Sequence, residues 1–71
     1  MSELIFEIKE AEVGGYVAKC FTQSIFTEGE TIDELRVNVK DAVNCYFEDE
    51  NHAPKLIRLH FVKDELISLG G

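Results

Sequence analysis

The 71-residue chain has no tryptophan, one proline, one methionine and two cysteines, and none of its apolar runs exceeds three residues, Leu4-Ile5-Phe6 being one of them. A bilayer-spanning helix needs about 20 consecutive apolar residues, so the sequence encodes none. The first residues lack the basic stretch followed by an apolar one that marks a secretory leader, and a cytoplasmic location is expected. There Cys20 and Cys45 are expected to stay reduced, and each sits in an apolar-rich stretch that reads as a place for a buried thiol. Positive charge is scarce as well. Seven Lys and Arg stand against fourteen Asp and Glu, a net charge of −7. Such a surface repels phosphate backbones, which disfavours direct nucleic-acid binding, and steers a basic protein toward itself.

What is present is the composition of a folded globule, 45% hydrophobic and 30% charged with no low-complexity stretch. A domain of this size buries only roughly 60% of the surface its unfolded chain exposes, so residues 1–71 are expected to form a single domain with one core. That core is expected to span about 3–66, with 67–71 as a flexible tail.

Leu4, Phe6 and Ile8 alternate with Glu7 and Lys9, which predicts a strand over 4–12 with one buried face. Gly14-Gly15 admits the positive φ of a tight hairpin, so the chain turns back into a second strand, Tyr16 to Phe21. After the polar Thr22-Gln23-Ser24, Ile25 and Phe26 open a third antiparallel strand that ends at Gly29. Thr31-Ile32-Asp33-Glu34 is a capping box, in which the Thr31 hydroxyl accepts from the Glu34 amide and the Glu34 carboxylate reaches back to the Thr31 amide. Ile32, Leu35, Val39, Ala42, Val43 and Tyr46 then recur at steps of three and four, predicting an amphipathic helix to about Glu48. The polar run 49–53 closes at Pro54, and Ile57, Leu59 and Phe61 alternate with Arg58 and His60 in a fourth strand, Leu56 to Val62. The order is βββαβ, an α+β fold.

One helix covers one face of a sheet. If Leu4, Phe6 and Ile8 meet it, Ile5 lies on the opposite face, and Val17, Phe21, Ile25 and Phe26 cannot all be hidden under the helix. Ile5, Val17, Phe21 and Phe26 are therefore the expected interface to a partner or to a second copy. No constellation points to catalysis, a cofactor or a metal. Cys20, Cys45, His52 and His60 lack the short paired spacings of a metal knuckle, with His60 expected on a solvated strand face and His52 in a loop. No Gly-x-Ser-x-Gly elbow occurs, and Gly14-Gly15 precedes a strand where a phosphate cradle precedes a helix. A two-metal triad of Glu7, Glu34 and Asp64 can be drawn, but fourteen carboxylates always offer some such triple, and Glu34 is explained by the cap.

Gly14-Gly15-Tyr16-Val17-Ala18, then Thr27-Glu28-Gly29-Glu30-Thr31, then a helix carrying Glu34, Asn38, Ala42 and Tyr46 resemble the HicB antitoxin family, over most of the chain up to Leu66. Gly14, Gly15, Gly29, Thr31 and Glu34 are the structural positions of that pattern. The resemblance implies a partial ribonuclease-H-like fold without the nuclease carboxylates. It implies a module that binds a small basic HicA-type toxin, an mRNA-cleaving ribonuclease, and occludes its catalytic histidine. Many members append a C-terminal DNA-binding module for which this sequence leaves no room, and Phe21-Thr22-Gln23-Ser24 lacks the Pro and Gly often found in that loop. A stand-alone homo-oligomeric HicB-like domain without a toxin is the alternative. Terminal Gly70-Gly71 also keeps a ubiquitin-like sulfur carrier in view, although such carriers place the helix after two strands and three precede it here.

Overall fold

The computed structural model describes residues 3–48 and 52–70. Its elements run β1 (Glu3–Glu10), β2 (Tyr16–Cys20), β3 (Phe26–Gly29), α1 (Ile32–Tyr46) and β4 (Leu56–Phe61), the expected βββαβ order. The four strands form one sheet in the order β3-β2-β1-β4, with β1–β2 and β2–β3 antiparallel and β4 parallel to β1. A parallel neighbour requires a crossover, and α1 supplies it.

Register decides which residues share a face. Phe6 opposes Cys20 and Leu59, Ile8 opposes Ala18 and Phe61, and Leu4 opposes Ile57. These residues face α1, whose Leu35, Val39 and Val43 close the core over Leu4, Phe6, Ile8, Ala18, Cys20 and Ile25. Ile25 sits just before β3 and keeps its place in the ladder, its carbonyl accepting from the Cys20 amide at 3.0 Å.

Three expectations need correction. Tyr46 is exposed, because it sits at the end of α1 and reaches sideways to donate to Gln23 Oε1 at 3.0 Å. Cys45 is exposed while Cys20 is buried, since the helical stripe through Leu35, Val39 and Val43 leaves position 45 on another face. Several ends also shift inward. β1 stops at Glu10, where the Ala11 amide donates to the Gly15 carbonyl and begins the turn, and α1 stops at Tyr46 with Phe47 as its C-cap. Residues 49–51, the polar run expected after the helix, lie outside the described residues.

At the other end of α1, Thr31 Oγ1 accepts from the Glu34 amide at 3.1 Å as expected. The returning Glu34 carboxylate accepts from the Glu30 amide at 3.1 Å, one residue earlier than the usual box. Gly29 explains why the helix can start so close to β3. A Cβ there would stand 2.6 Å from the Leu35 amide nitrogen and 2.8 Å from its Cα, both backbone atoms of the helix. Gly15 has φ 78°, and its Cβ would meet the Gly29 carbonyl at 2.9 Å, so the hairpin glycine and the strand-end glycine fit one against the other.

The helix is held off-centre. Asn38 Nδ2 donates to the Glu28 carbonyl at 2.6 Å, and with the Gly29 approach and the Tyr46–Gln23 bond this draws the α1 backbone onto β3 and β2, away from β4. On the helix side of β4, Ile57 and Leu59 are only half-buried and Phe61 is exposed.

Candidate protein-interaction surfaces

All four residues expected at an interface lie on the face opposite α1. Ile5, Val17 and Phe26 are placed there by the pairings Ile5–Arg58, Lys9–Val17 and Lys19–Phe26, and Phe21 by alternation from Cys20, its amide donating to the Ile5 carbonyl at 3.1 Å. Phe21 and Phe26 are 58% and 62% exposed, which is too much for side chains serving this domain's own core. Leu56, 63% exposed and opposite Glu3, belongs to the same face and was missed by sequence reasoning. Its signal was available, since it precedes the alternating Ile57, Leu59, Phe61 set by one residue.

Charge interrupts the apolar groups. One row across the sheet reads Phe26, Lys19, Glu7 and His60, and the next carries Phe21, Ile5 and Arg58. Arg58 donates twice to Glu3 Oε2, at 2.9 Å from Nη2 and 3.2 Å from Nε, and this bond, then the carboxylate's charge, holds the guanidinium pKa above its ordinary value. Lys9 and Glu7 approach to 3.5 Å. With Glu3, Glu7 and Glu28 against Lys9, Lys19 and Arg58, this face is charge-balanced, so the acidity of the chain lies elsewhere.

Two further carboxylates, Glu30 and Glu34, lie at one end. A cleft of about 530 Å³ runs between the β1–β2 turn and the start of α1, bordered by Glu28, Glu30, Glu34 and Asn38 and by Gly14 and Gly15. Val17 and Glu28 border it as well as standing on the open face, so the cleft and the aromatic face meet at β3. The Glu34 carboxylate there is committed to the helix cap.

The structure does not bring the drawn triad together. Glu7 is on the open face, Glu34 at the helix start and Asp64 beyond the end of β4. Among the described residues no three His, Cys, Asp or Glu side chains are grouped to hold a metal ion. His60 is exposed on the open face, next to Glu7 in register, and His52 is in the loop before β4. No helix among the described residues is long and apolar enough to cross a membrane.

A second apolar surface went unnoticed in the sequence. Between α1 and β4, where the off-centre helix leaves β4 uncovered, Val39, Ile57 and Leu59 line a groove of about 250 Å³ rimmed by Arg36 and Lys40. Beyond β4 the chain runs on without secondary structure through residues 62–70, with Leu66, Ile67 and Leu69 97%, 76% and 93% exposed.

No family model and no solved structure matches the chain. Two curated relatives do. A UPF0150 protein of Thermotoga maritima is 45% identical over 67 residues, covering 94% of this chain and 93% of the relative. A UPF0150 protein of Archaeoglobus fulgidus is 45% identical over 53 residues, covering 75% and 77%. At that identity and coverage, the chain belongs to the UPF0150 family.

Proposed function

We propose that the chain is a protein-binding module of the HicB antitoxin type, not an enzyme, and that its open sheet face docks a small basic HicA-type ribonuclease and occludes its catalytic histidine. The observation that carries this reading is the pair Phe21 and Phe26, exposed on a sheet face that no element among the described residues covers. Aromatic anchors surrounded by charged groups are the usual anatomy of a protein–protein hot spot. The βββαβ order is the one the HicB resemblance implies. The location of the acidic cleft refines the reading. A basic partner would straddle β3, setting apolar groups on Phe26 and Val17 and its cations toward Glu28 and Glu30.

The test is titration of the purified chain into a purified HicA-type toxin, with ribonuclease activity read in parallel. Binding and loss of activity are expected, both weakened at least about tenfold by Phe26→Glu, the size of effect a hot-spot residue gives. A toxin that neither binds nor loses activity sinks the proposal. The extended apolar segment after β4 favours a second reading, a homo-oligomeric domain that works without a toxin. The sulfur-carrier reading is weaker, with three strands ahead of α1; Gly71, its reactive position, lies outside the described residues.

A further inference from the structure

We propose that two copies of this chain exchange the segment after β4, the apolar stretch Leu66 to Leu69 of each lying along the α1–β4 groove of the other. The segment projects from the body. β1, at eight residues, spans about 26 Å and α1, at fifteen, about 22 Å, yet the chain measures 57 × 21 × 18 Å. Residues 63–70 extended at about 3.3 Å each supply most of the difference. The last ladder bond, from the Val62 amide to the Ile8 carbonyl at 2.8 Å, aims the segment past the end of β1. Reaching its own groove would require a reversal within Lys63-Asp64-Glu65, a stretch with no glycine or proline, over a strand that itself forms one wall.

Charge selects the second copy as occupant. The groove is rimmed by Arg36 and Lys40, two of only seven cationic side chains in a chain of net charge −7. Asp64 and Glu65 stand directly ahead of Leu66. An acidic pair followed by three aliphatic side chains thus complements an aliphatic floor with a basic rim, and both halves occur in every copy. Arg36 also bonds Asp33 at 2.9 Å, an exposed pairing that an incoming carboxylate can share. Exchange about a two-fold axis is reciprocal and closed, so it yields a dimer and no fibre. The open sheet face takes no part in it, and the toxin-binding proposal stands or falls separately.

The experiment is sedimentation equilibrium of the full chain, with far-UV circular dichroism confirming that each variant is folded. The expected mass is twice the 8.1 kDa of one chain. Leu66→Asp with Leu69→Asp is expected to return the monomer mass. Asp64→Lys with Glu65→Lys, and separately Arg36→Glu with Lys40→Glu, are expected to weaken association at least about tenfold, the two sets together restoring it. Phe26→Glu, on the open face, is expected to leave the dimer intact. A monomer at about 100 μM, a dimer indifferent to Leu66→Asp with Leu69→Asp, or charge-reversed sets that fail to rescue each other would each overturn the exchange.

Discussion

The two faces of this sheet are built from the same strands and differ in what covers them. On the α1 side Leu4, Phe6, Ile8, Ala18 and Cys20 are buried against Leu35, Val39 and Val43. On the other side the intervening residues of the same strands leave Phe21 and Phe26 in water among paired charges. A strand's period of two lets one stretch of eight residues both hold the fold and present a surface, so the two properties can be altered separately. Mutation should show this as a gradient in cost, measured as the shift of a urea unfolding midpoint at constant slope.

The sharpest contrast pairs two phenylalanines. Phe6→Ala, at a position with no exposure, is expected to cost about 4 kcal/mol, enough to unfold a domain this small. Gly29→Ala is next, at about 3 kcal/mol, because the new methyl meets helix backbone that cannot move alone. Thr31→Ala removes one cap bond and is expected to cost about 1 kcal/mol; no change would mean the helix does not depend on that hydroxyl. Phe26→Ala is expected to stay within about 0.5 kcal/mol while weakening binding of the proposed partner. A cost near that of Phe6→Ala would show that the open face belongs to the core after all, and would end the distinction between the two.

Much of this was legible in the sequence for a simple reason. Alternation in Leu4, Phe6 and Ile8, the cap at Thr31 and Glu34 and the paired Gly14-Gly15 are local signals, each determined within a few residues. Ile5 opposite the helix followed from the alternation, whereas for Val17, Phe21, Ile25 and Phe26 the sequence said only that the helix could not hide them all. What was not legible depends on contacts distant in sequence. No local pattern says that Gly29 will meet Leu35 backbone, or that Asn38 will bond the Glu28 carbonyl and draw α1 toward β3. The uncovered strip along β4 is a consequence of that displacement, so the groove was invisible until the helix was placed. Periodicity likewise counted Tyr46 as core, because the 3.6-residue pattern does not show where the sheet beneath the helix runs out.

The parallel pairing of β4 with β1 also orders events in time. Glu3 and Arg58, bonded across that pair, are 55 positions apart in the chain, so this is the longest-range closure in the sheet and is expected to form late in folding. Ile57 and Leu59 form one wall of the groove, and the segment bearing Leu66, Ile67 and Leu69 leaves from the same strand. In the proposed exchange, a chain that has not docked β4 would lack the groove wall that receives its partner's arm, and assembly would then select for folded copies.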